Sequence, residues 1–313
     1  MEPTLYIPHW NGGLLRRTIA SLEAQSERCR VVIVDNASTD GFIDEVREGF
    51  PWVEVIRLER NRGFGVALNH ATGAVGGDPL IFLNDDVECE PGFVEAMMAR
   101  AGDAEMVAGV LLQDANPGLI DSAGVIADAG TLMAFDYLQG EPAEVAESAP
   151  PPLGPTGGAA LYRREPFEAI GGFDERIFLY YEDLDLALRM HLAGARCVLA
   201  SRARGRHVGS ATLGQRSGEK YVHTGWSRAY MLRRYGVMRN PSNALRTLGS
   251  EAAICAGQVV LDHTFRGIVG RLRGWRDARG LERRELPAEG LSTVPVPSGL
   301  LRRARRRLGG RGR

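Results

Sequence analysis

Short apolar runs alternate with stretches of helical periodicity from residue 5 to about residue 199. The runs are β-branched or otherwise apolar and end in polar or turn residues, as buried strands do. They span residues 5–7, 31–34, 53–58 and 80–83. The stretches with helical spacing between them span residues 14–25, 41–50 and 64–72. This alternation predicts an α/β fold, with a mostly parallel sheet flanked by helices on both faces.

Each of the four predicted strands ends in polar residues. These ends read Pro8-His9-Trp10-Asn11, Asp35-Asn36-Ala37-Ser38, Glu59-Arg60-Asn61-Arg62 and Asn84-Asp85-Asp86. Sheets of this kind bind ligands beyond the carboxyl ends of their strands, near the point where strand order reverses. One polar strand end means little because loops are polar, but four in succession predict a ligand site at this edge of the sheet.

The pattern changes twice in the C-terminal half. Residues 141–155 are rich in Pro, Ala and Glu, which predicts a mobile loop, either a lid over the site or a plain surface loop. After Asn240-Pro241, residues 244–279 have the periodicity of one or two amphipathic helices. We therefore predict a first domain over residues 1–243, a helical extension over 244–280 and a basic, flexible tail over 281–313.

Composition excludes several classes of protein. Among the 313 residues, 44% are apolar and 25% are charged, which excludes global disorder. No window reaches the ~18 consecutive apolar residues of a membrane span, and strand-like sequence begins too early for a secretion signal to precede it. The four cysteines are isolated, which argues against a zinc site or a disulfide framework. We expect a cytoplasmic protein.

The net charge of −1 conceals an asymmetry. Residues 244–313 hold fifteen arginines against six acidic residues, so residues 1–243 are acidic overall. A basic end predicts contact with an anionic surface, either a membrane or a nucleic acid. The arginine cluster of residues 302–307 suits anionic lipid, and a solubilising tail is the alternative. We expect no nucleic-acid partner, because the acidic body lacks an aromatic and basic face.

The strongest chemical signal is Asn84-Asp85-Asp86, directly after the apolar run at residues 80–83. Burying acids at a strand end costs on the order of several kcal/mol unless a cation or a partner compensates. A hard divalent ion with oxygen ligands would compensate, and it would also hold a diphosphate. The alternative is a plain helix N-cap ahead of Pro91.

A second acidic cluster, Glu182-Asp183-x-Asp185, opens a predicted helix. Acids in a first helical turn are favoured by the helix dipole, which is the structural explanation. The preceding aromatic residues would instead raise the pKa of a carboxylate there, which suits a general base. His207 follows a strand-like run and is either structural or the imidazole that completes a carboxylate metal site.

Two phosphate-binding motifs are excluded. Gly63-Phe64-Gly65 begins like a dinucleotide-binding loop, but position 68 is Leu and the segment follows the third predicted strand. The chain contains no Walker sequence either.

The ordered motifs resemble the family-2 glycosyltransferases of the GT-A fold over roughly residues 5–236. Any one motif is weak, but the whole set in this order is specific. The set comprises Asn11-Gly12, residues 32–41, Asn61-Arg62-Gly63-Phe64-Gly65 with Asn69, Leu83-Asn84-Asp85-Asp86, Thr156-Gly157-Gly158, Gly171-Gly172-Phe173-Asp174, Glu182-Asp183-Leu184-Asp185-Leu186 and His207.

The resemblance implies a site for a nucleotide-sugar donor. In it Asp35 accepts from the N3–H of a pyrimidine base, Asp85 contacts the ribose, and Gly157 and Gly158 let the backbone approach the sugar. The residues implied to bind the donor are Pro8, His9, Trp10, Asp35, Asn61, Arg62, Asn69, Asn84, Asp85, Gly157 and Gly158.

The resemblance also implies a metal and a base. Asn84-Asp85-Asp86 stands at the family's Asp-x-Asp metal motif with Asn at its first position, so Asp86 is expected to contact Mg²⁺ or Mn²⁺. His207 matches a histidine that in many members contacts the metal or the diphosphate. Asp183 matches the catalytic base, with Glu182 as its substitute.

The implied reaction moves a sugar from a UDP- or dTDP-sugar to a hydroxyl of a glycan or lipid-linked acceptor, in one inverting displacement. The first strand is shorter than usual, and the chain lacks the Arg-Asn that rhamnosyltransferase-like members carry near Trp226-Ser227. The expectation that the donor is dTDP-L-rhamnose therefore rests only on likeness to the rhamnosyltransferase subfamily. We expect a role in cell-envelope polysaccharide synthesis, with peripheral contact to the inner face of the plasma membrane.

Two alternatives to this enzyme follow from the same residues. The first is a catalytically inactive nucleotide-sugar-binding scaffold, which the presence of both Asp86 and Asp183 disfavours. The second is a phosphohydrolase of the haloacid type, which is disfavoured because Asn84 stands where its Asp nucleophile is required.

Overall fold

The computed structural model describes residues 2–27, 29–208 and 217–292, and the chain divides into two compact units. Unit 1 comprises Met1–Ile126 and Asp136–Gln215, and unit 2 comprises Ala127–Phe135 and Arg216–Arg313. The arginine cluster of residues 302–307 lies outside the described residues, so its predicted contact with lipid stays a prediction.

Within the described residues, nine strands form one large sheet and two short strands form a second. The large sheet contains β1 (Thr4–His9), β2 (Arg30–Asp35), β3 (Glu54–Arg57), β4 (Leu80–Leu83), β5 (Val87–Cys89), β6 (Met106–Gln113), β7 (Asn116–Ser122), β10 (Ala159–Tyr162) and β11 (Cys197–His207). The two short strands are β8 (Val125–Ala127) and β9 (Ala134–Asp136).

The large sheet has the order β3-β2-β1-β4-β10-β6-β11-β5, with β7 paired to β6. Strands β3, β2, β1 and β4 run parallel, as do β6 and β11, so the predicted mostly parallel sheet is confirmed. Strand β10 is antiparallel to both of its neighbours. Strands β5 and β7 are also antiparallel to the strands they pair with. The predicted strands do not include β5, β6, β7 or β10; β5 has only three residues, and β7 begins with Asn116-Pro117-Gly118, which is typical of a turn.

Helices cover both faces of this sheet. The side chains of β1 alternate between them, with Leu5 and Ile7 in one hydrophobic core and Tyr6 in the other. Both faces of the central strands are therefore buried, which explains their continuous apolar sequence. The helices of unit 1 are α1 (Leu15–Glu23), α2 (Phe42–Gly49), α3 (Phe64–Val75), α4 (Phe93–Met98), α5 (Arg164–Ala169) and α6 (Glu182–Leu192).

Residues 141–155 form a packed segment, in contrast to the mobile loop predicted for them. Ala143–Glu147 is a 3₁₀ helix, and its Ala143 and Ala146 are buried in the same core as β1. The N–H of Val125 donates to the carbonyl of Gly154 at 2.8 Å. Small alanines in a short 3₁₀ helix give no periodic apolar signal, so the composition alone indicated a loop.

Unit 2 is helical. It contains α7 (Gly218–Arg234), a 3₁₀ turn (Val237–Arg239), α8 (Pro241–Asp262) and α9 (Arg266–Asp277). Helices α8 and α9 occupy the stretch in which one or two amphipathic helices were expected. Helix α7 belongs to the same compact unit as α8 and α9, so the two units divide after residue 215. The domain boundary predicted at residue 243 lies further along the chain and stays a prediction.

Glycines let α7 and α9 approach closely. A Cβ on Gly225 of α7 would lie 2.3 Å from the carbonyl oxygen of Gly267, and a Cβ on Gly270 of α9 would lie 2.2 Å from that of Val222. Either distance is too short for a real contact. Substitution at these positions would therefore force the two helices apart.

No helix in the described part of the chain has the combined length and apolar character that crossing a membrane requires.

Candidate active site

The loops at the carboxyl end of β1 and β2 are joined by hydrogen bonds. The N–H of Asn11 donates to Ser38 Oγ at 3.0 Å, and the N–H of Thr39 donates to Asn11 Oδ1 at 2.8 Å. Asn11 has a positive φ of 55°, a conformation in which asparagine is commoner than most residues. The edge predicted to bind a ligand is thus a pre-formed surface of interlocked loops, with Pro8 and Trp10 partly buried beside it.

Asp35 ends β2 and is fully buried. Its Oδ1 accepts from the N–H of Ser38 at 2.8 Å, and its Oδ2 lies 3.1 Å from Nη1 of the half-exposed Arg57. A carboxylate has about four acceptor positions, so these two partners leave room for a ligand N–H. A role of Asp35 toward a pyrimidine stays a prediction.

Asn36 connects the loop after β2 to the loop after β3. Its Nδ2 donates to the carbonyl of Gly63 at 3.1 Å, and its Oδ1 accepts from the N–H of Arg62 at 2.8 Å. Asn61 caps the same turn by accepting from the Gly63 N–H at 3.0 Å, while the Arg62 side chain is exposed. The structure therefore brings Asn61 and Arg62 to the same edge as Asp35.

Asn69 lies within α3 and has a different environment. Its Nδ2 donates to the Phe173 carbonyl at 3.0 Å, and its Oδ1 accepts from the Phe173 N–H at 2.9 Å. The side-chain amide of Asn69 is thus hydrogen-bonded to both the N–H and the carbonyl of Phe173. In this structure Asn69 fixes the turn at Gly172-Phe173, and its predicted contact with the donor stays untested.

His9 and Asp85 form a buried pair between the ends of β1 and β4. Nδ1 of His9 lies 2.6 Å from Oδ2 of Asp85. Burial raises the pKa of Asp85, and the hydrogen bond to His9 opposes that shift. Nε2 of His9 is buried and has no hydrogen-bond partner among the described residues, so this atom is available to a ligand.

Asp86, His207 and Asp121 form a line of three side chains. Nε2 of His207 lies 3.2 Å from Oδ1 of Asp86, and its Nδ1 lies 2.8 Å from Oδ2 of Asp121. Burial alone would lower the pKa of His207, but the hydrogen bonds to Asp121 and Asp86 outweigh burial and raise it to about 10. The two residues predicted to bind metal, Asp86 and His207, are therefore neighbours.

Gly157 and Gly158 lie beside the end of β4. Because β10 is antiparallel to β4, the residues just before β10 meet the residues just after β4, and the N–H of Asn84 donates to the Gly158 carbonyl at 3.3 Å. A Cβ on Gly157 would lie 2.6 Å from Cζ of Phe64. Close packing against Phe64 is therefore sufficient to explain the glycine at position 157. The predicted approach of this backbone to the donor sugar stays a prediction.

Glu182 and Asp183 begin α6 after two residues with strained backbone. Tyr180 and Tyr181 have φ values of 69° and 71°, which bulky residues rarely adopt. Such conformations cost on the order of 1–3 kcal/mol each, persist only where the surroundings enforce them, and cluster at functional sites. These two tyrosines lead directly into α6, whose first turn contains both acids.

Burial raises the pKa of both of these acids. The neighbouring Asp183 charge raises the pKa of Glu182 further, and Oε2 of Glu182 is buried without a hydrogen-bond partner among the described residues. For Asp183 the N–H groups of Leu184 and Gly157 oppose the shift, whereas Asp136 adds to it. A carboxylate with a raised pKa accepts a proton more readily, as a general base must.

Asp185, the third acid of the motif, is structural. It is fully buried and its Oδ2 lies 2.7 Å from Nε of Arg189, one helical turn further on. Nη1 of Arg189 donates in turn to the Ile170 carbonyl at 3.1 Å. The cluster thus separates into two acids at the helix end and one acid in an internal ion pair.

A continuous series of contacts within unit 1 links Asp183 to the sheet edge. The N–H of Gly157 lies close enough to the Asp183 carboxylate to lower its pKa, and the adjoining Gly158 accepts a hydrogen bond from Asn84, which begins the Asn84-Asp85-Asp86 motif. On the other side, the loop after β3 reaches the approach to α6, since the N–H of Phe64 donates to the Phe178 carbonyl at 3.0 Å. The predicted donor, metal and base residues therefore belong to one connected region, with Asn69 set apart in α3.

The donor atoms at Asp86 and His207 fit a divalent cation that also takes oxygen ligands from a substrate. Carboxylate and imidazole are ligands that Mn²⁺ accepts. Mg²⁺ is usually bound by one or two carboxylates together with substrate phosphates. Among the described residues, no group of three or more His, Cys, Asp or Glu side chains could by itself hold a metal ion.

Three residues of this region are not apparent from the sequence. Asp121 binds His207, Arg57 pairs with Asp35, and Asp136 raises the pKa of Asp183. Asp121 and Asp136 lie on or beside strands that the apolar pattern does not predict. Only the pairing of distant strands brings them to the site, so no local signal identifies them.

The model of the family described as Glycosyl transferase family 2 matches residues 4–171, more than half of the chain. The chain belongs to glycosyl transferase family 2. The resemblance inferred from the ordered motifs is therefore confirmed, and the protein is a glycosyltransferase. The match includes the sheet edge from Pro8 to Gly158 and ends before α6 and β11, so Asp183 and His207 lie outside it.

One relative of this family 2 enzyme is the N-acetylglucosaminyl-diphospho-decaprenol L-rhamnosyltransferase of Mycobacterium tuberculosis. It is 29% identical over 238 residues, which cover 68% of this chain and 78% of the relative. The rhamnosyltransferase-like character inferred from the sequence is thereby supported.

Solved structures confirm the GT-A fold of this family 2 enzyme. GalNAc-T7 with UDP, GalNAc and Mn²⁺ has a TM-score of 0.61 at 15% identity, covering 90% of this chain and 55% of that one. The mannosyltransferase PcManGT from Pyrobaculum calidifontis, in complex with GDP-Man and Mn²⁺, has a TM-score of 0.50 at 16% identity. The alignment with PcManGT covers 98% of this chain and 80% of the mannosyltransferase.

Proposed function

We propose that this glycosyltransferase moves a sugar from a UDP- or dTDP-sugar to a hydroxyl of a lipid-linked or glycan acceptor, with inversion at the anomeric carbon. The observation that carries the proposal is Asp183, a partly buried carboxylate with a raised pKa that is linked through Gly157 and Gly158 to the Asn84-Asp85-Asp86 motif. A base and a donor-binding edge in one connected region are what a single displacement needs.

The donor is proposed to lie along the sheet edge. Asp35 would accept from the N3–H of a pyrimidine, and Asp85, held by His9, would accept from a ribose hydroxyl. The remaining residues proposed to line the donor site are Pro8, His9, Trp10, Asn61, Arg62, Asn69, Asn84, Gly157 and Gly158.

Asp86 and His207 are proposed to hold Mg²⁺ or Mn²⁺. When bound, such an ion would stabilise the negative charge that develops on the leaving diphosphate. Asp121 would orient the His207 ring through Nδ1, as partners of metal-binding histidines commonly do, and Nε2, which faces Asp86 at 3.2 Å, would lose its proton when the cation binds.

Asp183 is proposed to take the proton from the acceptor hydroxyl. The acceptor oxygen forms a bond to the anomeric carbon while the bond from that carbon to the diphosphate oxygen breaks, and the electron pair leaves with the diphosphate. The proton ends on the Asp183 carboxylate, whose raised pKa favours its acceptance. Glu182, with its unpartnered Oε2, is the substitute base.

The relative in Mycobacterium tuberculosis supports a finer proposal. Its name gives an L-rhamnosyl group as the transferred sugar and a diphospho-decaprenol-linked sugar as the acceptor. We therefore infer dTDP-L-rhamnose as the first donor to test and a polyprenyl-diphosphate-linked glycan as the acceptor class. We further propose that the reaction belongs to cell-envelope polysaccharide synthesis and takes place on the cytoplasmic side of the membrane.

A thermal-shift screen of nucleotide sugars, with and without Mn²⁺, tests the donor class. A ligand at ~100 times its Kd stabilises the folded state by ~2.7 kcal/mol, so a specific donor gives a clear shift. We expect shifts with thymidine and uridine diphosphate sugars, enhanced by Mn²⁺, and none with NAD or ATP.

The control pair for this screen is Asp86→Asn and Asp44→Asn. Asp44 is an exposed residue of α2, so Asp44→Asn should keep the Mn²⁺ enhancement that Asp86→Asn loses. Equal shifts with purine nucleotides would contradict a pyrimidine site at Asp35. Binding of the donor without release of its nucleoside diphosphate, when acceptor is supplied, would instead support the inactive scaffold.

A further inference from the structure

The exposed face of α8 is apolar along its length. Leu245, Leu248 and Val260 are 75%, 57% and 67% exposed. The exposed positions of the helix from residue 245 onward carry no charged or polar side chain. They are Leu245, Leu248, Gly249, Ala252, Ala253, Ala256, Val260 and Leu261.

The inward face of α8 is polar instead. Thr247 and Ser250 are fully buried, and Gln258 is buried near the C-terminal end. Glu251 lies on the same side, where its carboxylate pairs with Arg228 at 2.8 Å and with Arg271 at 2.6 Å. A helix on the surface of a globular protein normally has apolar side chains facing the core and polar ones facing water, so α8 is inverted.

This face is large for an exposed apolar surface. It runs from Leu245 to Leu261, a distance of about 24 Å along the helix axis. Contiguous apolar patches of this extent on a monomer mark surfaces that contact another protein or a membrane. An occupant is therefore required, and its chemistry can be inferred from the neighbouring helix.

Helix α9 adds positive charge and aromatic side chains. Arg266, Arg273 and Arg276 are exposed on it, as are Leu272 and Trp275. The ion pair of Arg271 with Glu251 holds α9 against α8. Apolar side chains, Trp and several Arg together are typical of helices that lie in the interface of an anionic bilayer. A second copy of this chain would cover the apolar face but would bring like charge to the arginines, so charge complementarity favours anionic lipid.

We propose that α8 and α9 form a docking surface for an anionic phospholipid bilayer. In this arrangement the apolar face of α8 lies at the boundary of the acyl chains, and the exposed arginines of α9 contact lipid phosphates. The surface consists of described residues only and is distinct from the arginine cluster of residues 302–307. It would hold the enzyme at the place where a lipid-linked acceptor is found.

Co-sedimentation with vesicles tests the proposal on the full chain. The vesicles contain phosphatidylcholine alone or phosphatidylcholine with phosphatidylglycerol, and no sugar donor is added, so the result does not depend on the proposed reaction. We expect binding to the anionic vesicles only, weakened by added salt because the arginine contacts are screened. Leu245→Glu should weaken this binding at least about tenfold, since a leucine would no longer be buried in the bilayer.

Two matched controls separate this surface from general effects of charge. Leu192→Glu alters an exposed leucine of unit 1, and Arg47→Glu alters an exposed arginine of α2; both should bind as the unaltered chain does. Arg273→Glu should weaken binding to anionic vesicles by several-fold, consistent with about 1 kcal/mol per interfacial arginine. All of these side chains are exposed, and circular dichroism checks that each variant is folded.

Three results would overturn the proposal. The first is no binding to anionic vesicles. The second is binding that Leu245→Glu and Arg273→Glu leave unchanged, which would assign it to the tail. The third is a dimer in lipid-free buffer that Leu245→Glu dissociates, as measured by analytical ultracentrifugation, which would make a second copy the occupant.

Discussion

Two glutamates largely shielded from solvent, one in each unit, have opposite electrostatic environments. In unit 2, burial alone would raise the pKa of Glu251, but Arg228 and Arg271 outweigh burial and lower it to about 2. In unit 1, burial and the neighbouring Asp183 raise the pKa of Glu182, and its Oε2 has no hydrogen-bond partner among the described residues. The charge of Glu251 is thus compensated by two arginines, whereas the described residues provide no such cation for Glu182.

The comparison teaches how to distinguish structural acids from functional ones. An acid shielded from solvent between two cationic partners contributes to the stability of its unit, because removing it leaves those partners unpaired. An acid shielded from solvent without a cationic partner costs stability at neutral pH and is retained where chemistry uses it. Asp185, paired with Arg189, belongs with Glu251, whereas Asp183 belongs with Glu182.

Glu251→Gln should have the largest effect on stability. It leaves Arg228 buried without its carboxylate, and breaking a buried pair in this way costs ~3–5 kcal/mol. Chemical denaturation followed by circular dichroism measures the loss. Because the folded pKa of Glu251 is lowered, its contribution is fully present above the unfolded pKa and is lost as the pH falls toward 2. A loss below ~1 kcal/mol at neutral pH would show that the pair does not stabilise unit 2.

Asp121→Asn should have an intermediate effect, seen in metal affinity rather than in stability. Loss of the carboxylate that orients His207 is expected to weaken Mn²⁺ binding about 10–100-fold, as for other partners of metal-binding histidines. Titration calorimetry with Mn²⁺ and a nucleoside diphosphate measures it. Asp103→Asn is the control, since Asp103 is an exposed acid that pairs with Arg100 at the surface. Equal affinities for the two variants would remove Asp121 from the site.

Glu182→Gln should change stability in the opposite direction to Glu251→Gln. The variant removes a carboxyl whose pKa is raised to about 8 by burial, so its free energy of unfolding should exceed that of the unaltered chain at neutral pH. The gain is fully present above the folded pKa and vanishes as the pH falls toward the unfolded pKa. Denaturation curves at several pH values measure this trend. A destabilised variant would indicate that Glu182 has a structural partner.

The sequence predicts the parallel half of the sheet and the acidic residues that the structure brings into one region. Residues 80–83 match β4, because a buried parallel strand is apolar at every position. The acids after β4 and at the start of α6 are recognisable because acidic residues at such positions require compensation. Local patterns of this kind do not depend on distant parts of the chain.

The remaining features depend on long-range packing. Asp121 reaches His207 only because β7 pairs with β6 and β6 with β11, and no local pattern encodes those pairings. Periodicity predicts that α8 has an apolar face but not which way that face points, and the structure shows Leu245 outside and Thr247 inside. The ion pairs of Glu251 within unit 2 hold the polar side inward.

The most direct test of the account is the turnover of Asp183→Asn under conditions where the donor still binds. Release of nucleoside diphosphate from dTDP-L-rhamnose is measured with Mn²⁺ and a polyprenyl-diphosphate-linked acceptor, alongside the thermal shift that the donor produces. Since a general base contributes about 10²–10⁴-fold, we predict a loss of that size with the donor-induced shift retained. A variant that turns over at the unaltered rate would contradict the assignment of Asp183 as the base.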